Sequence, residues 1–169
     1  MKNLFVRTSL ALLLCAAAQA EEMIVTQARL TLAGAKAVAE AAATYARQHG
    51  AQGAIAVVDQ TGQLLYFIRL ENTFTGSSEI AIGKAKTAAL FQKPTRVFEE
   101  AINKGRIAMT TLPANFVLLQ GGVPIEHGEH AVGAIGVSGA NSAAQDEEIA
   151  KAGATALAEA AGHSTANAR

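Results

Sequence analysis

Apolar positions early in the chain recur at spacings of three and four. Leu32, Ala35, Val38, Ala39, Ala42 and Ala46 share one helical face within Ile24–Gly50. Thr31 predicts the N-cap of this helix and Gly50 its stop. The period then changes. Ala54–Asp59 and Gln63–Leu70 are short apolar runs on either side of the Thr61-Gly62 turn, and together they predict a β-hairpin. Beyond the polar loop Asn72–Ser78 the helical rhythm returns through Ile80, Ala81, Lys84, Ala85, Ala88 and Phe91, predicting a helix from Ser77 or Ser78 to Gln92. Pro94 breaks it. Thr95 predicts the cap of a short helix, Val97–Lys104, with Glu99 and Glu100 in its first turn.

The second half reads mostly as sheet. Gly105–Ala114 is irregular, and the apolar run Asn115–Leu119 predicts a third strand. Val123-Pro124-Ile125 is extended, because proline keeps its predecessor out of the helical region. Gly128 sits in the polar turn EHGEH, and Ala131–Val137 predicts a buried strand rich in glycine and alanine. After the loop Ser138–Ser142, a last helix, Asp146–Ala161, opens with Asp146, Glu147 and Glu148 at its positive dipole end. Residues 163–169 form a small-polar tail expected to fray. Helix, hairpin, two helices, three strands and a helix do not make a βαβ series. The expectation is an α+β domain with a five-stranded antiparallel sheet flanked by helices.

The first twenty residues read as an address rather than as fold. Lys2 and Arg7 precede the apolar stretch Leu10–Ala18, which is too short to span a bilayer, and Ala18-Gln19-Ala20 matches a cleavage site. A cleaved signal peptide over residues 1–20 is expected, with a single domain over 21–162 and a periplasmic or secreted location. Leu14 stands before Cys15 where a lipidation signal wants a small residue, which argues against a lipoprotein. Cleavage removes Lys2, Arg7 and the single cysteine, leaving 12 basic against 14 acidic residues. That balance gives no electrostatic footprint for nucleic acid. It also leaves no thiol or disulfide chemistry, and no segment that inserts in a membrane after cleavage. The many alanines and glycines suit close helix–sheet packing and contacts between subunits.

Several residues carry candidate chemistry. Gly133–Gly139 (GAIGVSG) has neither dinucleotide nor P-loop spacing, and the acids that follow would repel a phosphate. Tight packing explains these glycines. Ser138 lacks the GxSxG setting of a hydrolase nucleophile. His127 and His130, with Glu126 and Glu129, are metal-ready in type, but a hairpin turn need not make them converge. His49 falls in the last turn of the first helix, where it either complements the dipole or serves as a metal or haem ligand. Lys84 lies on an apolar helix face, with its amine expected at a cleft or snorkelling to the surface. Arg69 either pairs with a surface acid or holds a ligand carboxylate. A proton-transfer enzyme acting on a small organic acid, isomerase- or tautomerase-like, would use Lys84 and Arg69 to hold substrate and Glu79 or Asp59 as base. C-x-x-C-H is absent, so any haem would be held by an axial side chain and an apolar pocket.

Three blocks carry a family resemblance: AVVDQTGQLLYFIRLEN, IAIGKAKTAALFQKPT and, most specific, GGVPI followed by VGAIGVSGA and the DEEIAKAG helix. Over roughly residues 24–161 the chain resembles the GlcG/HbpS-like family of small haem-binding proteins, related to the C-terminal domain of PduO-type proteins. The resemblance implies a profilin-like sandwich, a homo-oligomer and non-covalent haem binding, with a role in haem or iron sensing or redox defence outside the cell. It points to Thr87 and Thr95 in KAKTAALFQKPT as cofactor-binding residues, with His49 as the candidate histidine and Lys84 and Arg69 beside them. An oligomeric accessory protein for a membrane sensor is the remaining alternative.

Overall fold

A computed structural model describes residues 27–113 and 115–166. The expected signal peptide and residues 167–169 lie outside them. The chain runs α1 (Leu32–Gln48), β1 (Ala54–Asp59), β2 (Leu64–Arg69), α2 (Ser77–Phe91), α3 (Arg96–Asn103), a 3₁₀ turn (Ile107–Thr111), β3 (Gly122–His127), β4 (His130–Ser138) and α4 (Ala143–Ala166). Among the described residues this is an α+β fold with four helices and a four-stranded antiparallel sheet of order β2-β1-β4-β3. The last helix extends five residues past its expected end at Ala161.

The strand expected at Asn115–Leu119 is not formed. Its backbone donors go elsewhere, the Phe116 N–H to the Pro113 carbonyl and the Val117 N–H to Thr87 Oγ1, and just beyond it the Gln120 N–H goes to the Glu99 carboxylate. Phe116 packs edge-on against Phe91, which also meets Phe98. The run is thus a docked strap without a ladder, with Phe116, Val117 and Leu118 half-buried and Asn115 and Leu119 exposed.

The two faces of the sheet differ in side-chain size, and this places the helices. Ile55 and Val57 of β1, Ile135 and Val137 of β4 and Ile125 of β3 join α1 and α4 in one large core. The alternate positions Ala54, Ala56, Val58 and Ala134 form a second core with Ala81, Ala85, Ala88 and Ala89 of α2. All six residues of β1 are buried, as expected of a strand covered on both faces.

The small-residue face brings α2 onto the strands almost backbone to backbone. Ala56, Gly136 and Gly122 lie side by side across β1, β4 and β3. A Cβ on Gly122 would stand 2.5 Å from the Lys84 carbonyl oxygen. One on Gly136 would stand 3.0 Å from Ala85 Cα, and closer still to the Ala81 oxygen and the Ala85 nitrogen.

Candidate functional site

Lys84 belongs to the stretch of α2 that lies on this glycine floor, its carbonyl against Gly122. Its amine does not emerge at a cleft: the residue is 2% exposed, and Nζ donates to the Val137 carbonyl and to Asp146 Oδ2, each at 2.8 Å. Asp146 is also buried, and its Oδ1 accepts the Ala140 N–H at 3.0 Å. Gly121 makes the pair fit, since a Cβ there would stand 2.8 Å from both Lys84 Nζ and Asp146 Cβ. This ion pair ties α2, the end of β4 and the first turn of α4 together.

The two threonines of the same segment are fully buried and engaged. Thr87 Oγ1 donates to the Gly83 carbonyl and accepts the Val117 N–H. Thr95 stands at the N-cap of α3 without a side-chain capping bond. Its hydroxyl accepts the Gly122 N–H at 2.8 Å, while its own N–H donates to the Gly122 carbonyl at 2.9 Å. The expected capping role thus gives way to a clamp between α3 and β3.

Glu147, next to Asp146, is a second buried anchor that sequence reasoning treated only as a dipole partner. It is 2% exposed and is met by Arg96, Gln120 and Lys151. Burial pushes its carboxyl pKa up, but the hydrogen bonds from Lys151 and Gln120 and the charges of Lys151 and Arg96 outweigh this, so the net shift is down. A carboxylate whose pKa is lowered on folding stabilises fully above its unfolded value, ordinarily 4.5, and loses that contribution as pH falls through the folded value. Urea denaturation from neutral to acid pH is expected to show a steeper loss in the wild type below that value than in Glu147→Gln. Parallel profiles would remove Glu147 from the acid transition.

Two further candidates lie at one end of the sheet. Arg69 pairs in register with Ala54, the first residue of β1, and the loop entering Ala54 begins at His49. Arg69 Nη2 donates to the Thr73 carbonyl at 2.6 Å rather than to an acid, and Thr73 Oγ1 accepts the Gly53 N–H at 2.9 Å. His49 caps α1 and is exposed. Its ring stacks on Tyr45 with centroids 3.9 Å apart, and Nδ1 lies 2.8 Å from the Tyr45 carbonyl oxygen. A carbonyl can only accept, so Nδ1 carries the proton and Nε2 of the neutral ring keeps its lone pair. Metal-ligating histidines commonly have this arrangement, with the second ring nitrogen fixed by a backbone carbonyl.

The proton-transfer set is not assembled. Asp59 ends β1, at the opposite end of the hairpin from Arg69. Its Oδ1 accepts the Thr61 N–H, the Thr61 hydroxyl and the Gln63 N–H, so it serves the turn. Burial raises its pKa, but these bonds and the charge of Arg29 bring the net shift down. Glu79 is exposed in the first turn of α2, and the Lys84 amine is sealed against Asp146.

His127 and His130 face each other in register across a two-residue turn in which Gly128 has φ +62°. Among the described residues no group of three or more histidine, cysteine, aspartate or glutamate side chains is placed to hold a metal. None of the described helices is long and apolar enough to cross a membrane.

A small antiparallel sheet with a backbone-close helix on one face, a two-helix layer on the other and a buried lysine–aspartate tie defines a recognisable class. The profile of the family described as haem degrading protein HbpS-like matches residues 30–155, and the chain belongs to that family. Protein GlcG of Escherichia coli K12 is 37% identical over 104 residues, covering 62% of this chain and 77% of its own. The crystal structure of a double mutant of Streptomyces reticuli HbpS superposes with a TM-score of 0.72 at 31% identity, covering 80% of this chain and 91% of HbpS. The crystal structure of a PduOC:heme complex superposes with a TM-score of 0.70 at 25% identity, covering 76% of this chain and 95% of the neighbour.

Proposed function

We propose that this chain is an exported protein that binds haem non-covalently, with His49 as the axial ligand. The observation that carries the reading is the state of that imidazole: exposed, stacked on Tyr45, and held by the Tyr45 carbonyl so that Nε2 is the basic nitrogen. Family membership and the haem complex of the PduOC neighbour supply the identity of the ligand. Bound haem supplies an iron centre whose behaviour is set by its axial ligand and surroundings. Arg69, exposed at the same end of the sheet, is proposed to meet a haem carboxylate. Lys84, Thr87 and Thr95 enter the reading as residues that hold α2 and α3 on the sheet, since their polar atoms are engaged within the protein.

Export is part of the proposal, supported by the basic, apolar and A-x-A pattern of the first twenty residues. Assembly into a homo-oligomer is another part, supported by exposed apolar side chains such as Leu32, Phe74 and Ile107. A haem- or iron-sensing or redox-defence role follows as the physiological reading.

One experiment addresses the core of this. Protein recovered from the periplasm, with an N-terminus at Glu21, is titrated with haemin while absorbance and light scattering are recorded. A saturable Soret shift at micromolar protein is expected, on a particle larger than the monomer. His49→Ala should abolish the shift, and the double variant His127→Ala/His130→Ala should leave it largely intact. Absence of any saturable shift would sink haem binding. Loss only in the double variant would move the ligand to the β3–β4 turn.

A further inference from the structure

The tip of the β3–β4 hairpin, EHGEH, carries two histidines that the haem reading leaves unused. Its backbone decides whether they act together. Gly128 has φ +62°, while Glu129 keeps an ordinary negative φ. A two-residue loop with a positive-φ glycine at its first position fits the type II′ turn, whose twist suits a hairpin. Turn type and loop length fix the register. His127 and His130 are accordingly direct cross-strand partners.

Direct partners project from the same face of a sheet, with Cβ atoms about 4.5–5.5 Å apart. An imidazole nitrogen binds zinc at ~2.0–2.1 Å. Two histidines rooted this close reach a single ion between them by rotation of their side chains alone. Both residues are exposed, so neither ring is held by core packing. Glu126, partnered with Ala131, falls on the other face by alternation. Together with Glu129 in the turn it adds negative charge to a tip that receives a cation.

The ligand count sets the chemistry. Among the described residues no cluster of three or more histidine, cysteine, aspartate or glutamate side chains forms, so the pair stands as two ligands. Two fall short of the four that close a structural zinc site. The remaining positions go to water, and the ion is exchangeable. At a given nitrogen site Cu²⁺ binds more tightly than Ni²⁺ or Zn²⁺.

We propose that His127 and His130 form a two-histidine chelate for one Cu²⁺ ion at the hairpin tip. The tip lies at the opposite end of β1 and β4 from Arg69 and the His49 loop. The site is therefore separate from the haem site proposed at His49 and does not depend on it.

The test is a titration of the haem-free, ¹⁵N-labelled protein with Cu²⁺ in glycine-buffered solution, followed by amide NMR and electron paramagnetic resonance. The first equivalent is expected to broaden the amide signals of residues 126–131, with two nitrogen ligands in the resonance spectrum. His127→Ala and His130→Ala should each weaken binding roughly tenfold or more, because the second imidazole no longer acts at an effective concentration of about millimolar. His49→Ala should leave this binding unchanged. The variant His130→Ala/Ala131→His keeps the number of histidines but moves one to the opposite face, so it should bind as weakly as His130→Ala. Zn²⁺ should bind the same residues more weakly than Cu²⁺. Broadening centred away from the tip overturns the proposal. So does wild-type affinity in both single variants or in the shifted variant, or tighter binding of Zn²⁺ than of Cu²⁺. The wild-type broadening map decides even where a variant fails to fold.

Discussion

Gly136→Val is expected to remove most of the stability of the fold. Gly136 sits at the centre of the trough Ala56–Gly136–Gly122, and the atoms in the way of a side chain there are the Ala81 oxygen and the Ala85 nitrogen and Cα of α2. These are backbone atoms of a helix and cannot rotate aside. Relief would require α2 to rise from the sheet, opening the contacts of Ala81, Ala85, Ala88 and Ala89 with Ala54, Ala56, Val58 and Ala134. Overpacking a core ordinarily costs ~1–3 kcal/mol when side chains can yield. Here they cannot, so a loss of at least about 4 kcal/mol is expected, against a total stability of ~5–15 kcal/mol for a typical domain. Gly128→Ala is the control. Gly128, unlike Gly136, has positive φ, but a Cβ there meets nothing within 4 Å. Its cost should be only the ~1 kcal/mol of placing alanine in the left-handed region. Circular dichroism and urea denaturation of the two variants separate steric from conformational demands. A Gly136→Val protein with near-wild-type stability would mean that α2 does not sit where it is described.

That trough also shows what can be read from sequence here. Within Ala54–Asp59 the large residues Ile55 and Val57 alternate with Ala54 and Ala56, so a wholly apolar run already sorts into a large face and a small one. The helical period of α1, the Thr31 cap, the Thr61-Gly62 turn and the Val123-Pro124-Ile125 strand are local signals, and each is found in place. The apolar residues of Asn115–Leu119 carry the local signal of a strand. What decides its conformation is distant: the Thr87 hydroxyl that takes the Val117 N–H, the Glu99 carboxylate that takes the N–H of the following Gln120, and Phe91. The same limit governs the candidate site. The Lys84 amine is expected at a cleft or at the surface when only its own helix is in view, because Asp146 lies 62 residues away in the chain. The acids opening α4 were legible as dipole partners, while their roles as buried anchors were not. For His49 the cap position was legible; the stacking on Tyr45 and the Nδ1 hydrogen bond to the Tyr45 carbonyl, which sets the tautomer, needed coordinates.

Lys84→Met should be among the most damaging single substitutions that add no bulk. It preserves the length of the side chain and leaves Asp146 buried without its cation. Removing one member of a buried ion pair costs ~3–5 kcal/mol, because the remaining charge has neither water nor partner. Asp146→Asn should be costly for the mirror reason, since it leaves the ammonium with the Val137 carbonyl and no counter-charge while keeping an acceptor for the Ala140 N–H. The double variant Lys84→Met/Asp146→Asn leaves no buried charge at this pair. It is therefore expected to be no less stable than either single variant, with strong coupling in the double-mutant cycle. Urea denaturation of the four proteins measures this directly. Additive losses would show that the two groups act independently and that the 2.8 Å contact contributes nothing of its own. Coupling together with an unchanged haemin titration in the double variant would assign the pair to the scaffold.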